Sequence, residues 1–442
     1  MEELLHYVWK HKLFPLGEMR TTRGNLIEVI NPGLHNQGSG PDFFNAKIKI
    51  DGQLWVGNVE IHVRASDWFR HHHDVDDAYS NVILHVVGIS DADVPYPNKS
   101  GKIIPQLQLD VPEYVTTNYD ALSRNDQFPR CRDVVLSFPR LTVHAWLSAL
   151  QVERLEERST QIKERWVRHG KNWEETSFVT ISRNFGFGKN GDAFERWANS
   201  FPLMSLGKHR DSLFQIEAVF FGQAGMLEEP HDEFGDYYVR LRQEYNFLRH
   251  KFSLKPIEST AFRFMRLRPE NFPQIRLAQL AMLYFKGGMN LANLLSCADM
   301  QALYHLFDTS VSDYWKRHFT FKAEESAEAD KRLSKASIDL IAVNSVVPLL
   351  FAYGRYKGDE ALCDRAFNLM EEIKAENNKY IRDWKNAGVT CTSAADSQAL
   401  MQLSTKYCEP RNCLRCRFGF EYIRKNPDFL AKESEEKDGE RE

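Results

Sequence analysis

The sequence predicts an α+β protein: an N-terminal domain over residues 1–130, then a large all-α domain over 131–431, and a charged tail over 432–442. Three observations predict this. Residues 43–63 alternate apolar and polar side chains on either side of Asp51-Gly52, the period of half-buried strands joined by a hairpin turn. "VILHVVG" (82–88) is nearly continuously apolar, as in a strand buried on both faces. From Leu141 onward apolar residues recur at helical spacing and strands are hard to find.

The elements follow in order. Residues 1–13 form an amphipathic helix with Leu4, Leu5, Tyr7, Val8 and Trp9. Thr21–Gly24 reads as a turn, "NLIEVINPG" as a strand closed by Asn-Pro-Gly, and "LHNQGSG" as a loop. Phe44, Ala46, Ile48 and Ile50 fall on one side of the next strand, with Lys47 and Lys49 on the other. On the return strand Val59, Ile61 and Val63 oppose Asn58, Glu60 and His62. "DWFRHHHDVDDAYSN" is a polar crossover, and "KIIPQLQLDV" holds two more short strands. In the second domain the stretch from Leu141 is one long helix rich in Glu/Arg pairs. Further helices are expected at about 173–200, 209–228, 232–250, 273–287, 298–308, 337–355, 358–385 and 395–406. The tail "AKESEEKDGERE" has no apolar anchor and is expected to be disordered.

A chain of 442 residues suggests two or three domains, and 43% hydrophobic with 27% charged residues is ordinary globular composition. The formal net charge is −4, so nucleic-acid binding requires a local basic patch rather than overall charge. "MEELLHYVWKHKLF" carries acids and lacks the basic start and apolar core of a secretory leader. No uninterrupted apolar run reaches transmembrane length, so no membrane partner is expected. Seven cysteines without such a leader point to a reducing, cytoplasmic setting, where clustered thiols more often bind metal than pair.

Glu60 and His62, two apart on a strand, share a face. Carboxylates take hard divalent cations, and imidazole binds metal or handles protons. With a two-residue turn at Asp51-Gly52, Ile50 pairs with Gln53 and Asp42 falls opposite Ile61, on the other face from Glu60. A one-residue shift, from a longer turn or a bend at Pro41, is needed to make all three share a site.

Pro41-Asp42, seventeen intervening residues and Glu60-Ile61-His62 resemble the PD-(D/E)xK signature of restriction-endonuclease-like nucleases. The order of helix, three strands, polar crossover and strand resembles that fold as well. The resemblance implies that Asp42 and Glu60 hold Mg²⁺ or Mn²⁺ for phosphodiester cleavage of nucleic acid. It also puts His62 where the superfamily has a lysine, with Lys47 or Lys49 as a substitute charge. If activity has decayed, it implies a non-catalytic binding or scaffold protein. The chain also resembles a bacterial domain-of-unknown-function family that shares "GPDF", "VEIH" and a Cys-rich C-terminal end.

His73 and His85 are candidate additional ligands, with Asp76 on one face with His73 if the segment is helical (i, i+3); the remainder of the histidine run reads as a solvated loop. Cys408, Cys413 and Cys416 have C-x4-C-x2-C spacing, compact enough for Zn²⁺ or an Fe–S cluster. Either Cys131 or Cys391 is the candidate fourth ligand. Some nucleases of the resembled superfamily use a cysteine clasp of this kind, and that resemblance implies Cys131. Arg263, Arg266, Arg268 and Arg276, among aromatics, form the best local basic patch for a phosphate backbone.

Overall fold

Helix α1 (Glu2–His11) opens the chain and buries Leu4, Leu5, Tyr7, Val8 and Trp9 on one side. The computed structural model describes residues 1–425 except Leu16, 98–101, 229–233 and 323; the tail expected to be disordered lies outside the described residues. Seven strands follow: β1 (Met19–Arg20), β2 (Leu26–Asn31), β3 (Leu34–His35), β4 (Phe43–Ile50), β5 (Gln53–Arg64), β6 (Val82–Ile89) and β7 (Gln106–Gln108). They make one sheet in the order β1-β2-β4-β5-β6-β7, with β3 paired to β4. Pairing is antiparallel up to β5, while β5–β6 and β6–β7 are parallel. The β5–β6 crossover holds the four-residue helix α2 (Asp67–Arg70) and a 3₁₀ turn at Asp77–Tyr79. Of the two strands expected in "KIIPQLQLDV", β7 forms; Ile103 makes only an isolated bridge to Pro95. An α+β organisation, sheet first and helices after, is what the chain adopts.

The two sheet faces are covered differently. Phe43, Ala46, Ile48, Val59, Ile61, Leu84 and Val86 point into the larger core, shared with α1 and with Val115 and Leu122 of α3 (Glu113–Arg124). Each Val, Leu, Ile or Phe among them contributes about 1.5–3 kcal/mol when fully buried. The opposite face carries a smaller cluster of Ala65, Trp68, Tyr79, Val82, Val87, Val94 and Ile104, brought down by the crossover.

The hairpin register departs from the simplest one at a single place. Asp51 (φ 48°) and Gly52 (φ 81°) form a two-residue turn, and pairing runs regularly from Ile50–Gln53 to Ala46–Gly57. Phe43 then pairs with Val59, so Phe44 and Asn45 together oppose Asn58. This is a β-bulge, and Asn45 takes the left-handed conformation (φ 55°) that asparagine tolerates better than most residues. Gly57 beside it is obligatory: a Cβ there would lie 2.4 Å from the Ile83 side chain and 2.8 Å from the Asn81 carbonyl.

Two compact units emerge. The first comprises Met1–Trp146 with Asp383–Val389 and the chain from Leu403; the second comprises Leu147–Arg382 and Thr390–Gln402. The first unit therefore draws on both ends of the described chain, unlike a simple division at residue 131. Leu414, Phe420 and Ile423 join the core beneath the sheet. Asn118 Nδ2 donates to the carbonyls of Tyr422, Ile423 and Lys425 at 3.2, 3.2 and 2.9 Å, satisfying the end of the last helix, Arg417–Ile423.

The second unit is helical around a core that includes Phe178, Trp197, Phe220, Leu280, Trp315 and Leu350. The long helix expected from Leu141 runs Arg140–Arg168. The stretch expected at 173–200 is two helices, Trp173–Phe185 and Gly191–Ala198, parted at Gly186, where a Cβ would meet the Asn190 backbone. Lys335–Lys357 is long and apolar enough to cross a membrane by length and composition, and 67% of its apolar window is buried.

Candidate metal centre

The bulge decides what Asp42 faces. With Phe43 opposite Val59, the next position along sets Asp42 against Glu60, on the crossover side of the sheet. The two residues are stitched reciprocally. The Asp42 N–H donates to Glu60 Oε2 at 3.1 Å, and the Ile61 N–H donates to Asp42 Oδ2 at 2.9 Å. His6 of α1 brings Nε2 to 3.2 Å from the same Asp42 oxygen. Burial works against a proton on His6, but Asp42, with Glu2 and Glu60 behind it, outweighs this and raises its pKa.

The other Glu60 oxygen faces imidazoles. Oε1 lies 3.3 Å from His73 Nε2 and 3.5 Å from His62 Nε2. His62 Nε2 is 3.1 Å from His71 Nδ1, and the ligand atoms of His62, His71 and His73 all lie within 4.8 Å of one another. On its far side His62 Nδ1 meets His85 Nε2 at 2.9 Å, fixing the ring. Trp68 packs edge-on against His62 and His73, and Tyr79 stacks on His73 at 3.7 Å.

The electrostatics suit a bound cation. Burial first, then His85, His73 and His71, push His62 down to about 2. Burial and His73 push His85 down to about 3, and burial lowers His73. Burial and then Asp42 push Glu60 up to about 9. Neutral imidazoles are the metal-binding form, and a buried acid that resists ionisation alone ionises readily against a cation.

The two-acid site implied by the nuclease resemblance thus assembles only in part. Asp42 and Glu60 are opposite one another, but Asp42 Oδ2 is engaged by the Ile61 N–H and His6. Among the described residues the one group of three or more close donors is His62, His71 and His73. His73 falls inside it; His85 stands behind His62 as the residue that orients it. Lys47 is exposed at register with Val56, four residues and roughly 13 Å along the strand from Glu60. His71 and His6 were missed by sequence reasoning. No helical or strand period links His71 to His62; it arrives through the turn after α2, where His72 adopts φ 61°. The histidine run was itself the available signal.

A groove of about 920 Å³ adjoins Asp42 and His6 within the first unit. Exposed Lys10, Arg411, Arg415 and Arg417 line it, with Tyr119, Trp146 and Phe420 as aromatic walls. The expected basic patch lies instead in the second unit. There Arg263, Arg266 and Arg268 are exposed, while Arg276 is buried, bonded to Gln279 and Asn271 and stacked over Phe187 at 4.2 Å. Packed in this way, Arg276 cannot hold a phosphate.

Cys131, Cys408, Cys413 and Cys416 line one small cavity; Cys391 is buried in the segment grouped with the second unit. Burial raises all four cavity thiols, Cys416 to about 11.

A mixed sheet with an imidazole–carboxylate cluster on its crossover face defines a protein with a candidate metal centre. The chain belongs to the family described as "Protein of unknown function (DUF2851)", whose model matches residues 2–379. No curated protein and no solved structure matches it.

Proposed function

We propose that the first unit is a metal-dependent phosphodiesterase acting on nucleic acid, with a restriction-endonuclease-like head. The observation that carries this is the donor spacing. A tetrahedral ion with bonds of ~2.0–2.1 Å sets its ligands roughly 3.3 Å apart. His62 Nε2, His71 Nδ1 and His73 Nε2 lie within 4.8 Å of one another, with His62 and His71 at 3.1 Å, and Glu60 Oε1 flanks this group at 3.3 Å from His73 and 3.5 Å from His62. Three imidazoles favour a transition ion, Mn²⁺ or Zn²⁺, over Mg²⁺. Such an ion lowers the pKa of bound water and stabilises charge on phosphate oxygens.

Asp42 and His6 stand between this cluster and the basic groove. There Lys10, Arg411, Arg415 and Arg417 supply the phosphate contacts, and Tyr119 and Phe420 supply stacking surfaces. The order of α1, antiparallel strands, crossover and parallel β6 supports the nuclease-like head. A non-catalytic binding module is the second reading, favoured by the exposed Lys47 standing away from Glu60.

The test is cleavage of single- and double-stranded DNA and RNA with Mn²⁺, Zn²⁺ or Mg²⁺. The wild type is expected to cleave with a transition ion, and Glu60→Gln to lose at least 100-fold. Arg415→Ala/Arg417→Ala is expected to weaken substrate binding and its salt dependence. Equal traces in wild type and Glu60→Gln overturn catalysis. Retained nucleic-acid binding in that case selects the second reading.

A further inference from the structure

We propose that Cys131, Cys408, Cys413 and Cys416 hold one thiolate-bound metal centre, a zinc ion or an iron–sulfur cluster, that ties the end of the sheet region to the C-terminal segment of the same unit. The four side chains come from two places some 280 residues apart in sequence, yet line one cavity with Leu122, Tyr407 and Gly419. Its volume is about 20 Å³, and no three of its sulfurs lie within 4.8 Å of one another. A single zinc ion with Zn–S bonds of ~2.3 Å sets its sulfurs roughly 3.8 Å apart and would draw these thiols together, whereas an iron–sulfur cluster spans the wider spacing. No disulfide joins them. Four small apolar side chains would explain buried thiols alone, but three further observations do not fit that explanation.

The first is the backbone around Cys416. It precedes the last helix, and the N–H groups of Phe418 and Gly419 are near enough to its sulfur to work against the upward push of burial on its pKa. N–H donors of this kind stabilise a thiolate more than a thiol, which is a weak acceptor. The second is how tightly the segment folds. Cys413–Arg415 is a 3₁₀ turn, and a Cβ on Gly419 would lie 2.0 Å from the Cys413 carbonyl oxygen, so only glycine lets the helix start this close. The third is Arg130. It lines the same cavity, its Nε donates to Asn125 O at 2.8 Å, and its buried Nη1 has no hydrogen-bond partner. A half-buried guanidinium whose Nη1 faces four neutral thiols has no charge to pair with there. Against four metal-bound thiolates, whose charge exceeds that of the metal, it is paired.

The geometry also chooses the fourth ligand. Cys391 is not among the cavity residues, so Cys131 completes the C-x4-C-x2-C set. This centre is independent of the phosphodiesterase: it shares no residue with the Glu60 cluster, and loss of cleavage leaves it untouched.

The experiment is metal, iron and acid-labile sulfide analysis, with a visible spectrum, of the full chain purified anaerobically in a His71→Ala/His73→Ala background. That background removes the other candidate site. One zinc per chain, or iron with matching sulfide and a charge-transfer band, is expected, lost in Cys131→Ala and kept in Cys391→Ala. Since Cys131→Ala can fail to fold, native thiol titration of the parent provides a second readout. Four thiols should react only after zinc is chelated or the cluster is oxidised. A parent with no thiol-bound metal and no masked thiols overturns the proposal, and so does metal retained in Cys131→Ala.

Discussion

Glu217 shows how a single buried acid writes a pH dependence into the second unit. It is 2% exposed, and its Oε2 accepts a hydrogen bond from Tyr237 at 3.0 Å. Burial raises it from 4.5 to about 7. A raised folded-state pKa gives stability that is fully present below pH 4.5 and lost as pH rises toward 7, about 3 kcal/mol in all. Urea midpoints measured from pH 4.5 to 7.5 should fall in the wild type, and Glu217→Gln should flatten that fall. The acid was legible in the sequence as a charge inside "IEAVFFGQAGML"; its partner, Tyr237 twenty residues on, was not. The same asymmetry holds in the candidate metal centre. Glu60 and His62 share a face through strand period alone. His71 joins them only through a left-handed residue in a turn, which no period reports.

At the level of elements, the bulge at Phe44–Asn45 is the feature on which the site depends. Strand alternation and Asp51-Gly52 made the hairpin and its turn legible, including the Ile50–Gln53 pair. The needed one-residue shift was legible as a requirement but not as a location. It lies in mid-strand, where Asn45 accepts φ 55°. A β-branched residue there costs about 1–2 kcal/mol, because its side chain clashes in that conformation. Asn45→Gly should therefore keep both stability and metal binding, and Asn45→Val should lose about that much in a denaturation curve. Deleting Asn45 should return Asp42 to the core face, take its N–H away from Glu60 Oε2, and weaken binding of Mn²⁺ or Zn²⁺ measured calorimetrically, even where the chain still folds.

For the whole molecule, α+β class and the run of helices followed from periodicity. The return of the C-terminal segment to the first unit did not, since nothing local in "RFGFEYI" names its neighbour. Phe418 and Ile423 are fully buried, and Phe420 packs in the core beneath the sheet. A chain stopped at residue 402 loses all three and the Asn118 cap. We expect it to bind a hydrophobic dye and to melt in two steps, the first well below the single-step or higher first transition of the full chain. Superimposable melting curves would sink this.

The Asn118 hydrogen bonds to Tyr422, Ile423 and Lys425 span 304 to 307 residues of sequence. On a ribosome adding roughly 5–20 residues per second, that interval lasts roughly 15–60 s. The nascent sheet spends this time with one wall of its core open, waiting for a helix not yet made. It is a period in which holdase chaperones have an apolar target, and in which thiols at opposite ends of the message have still to meet.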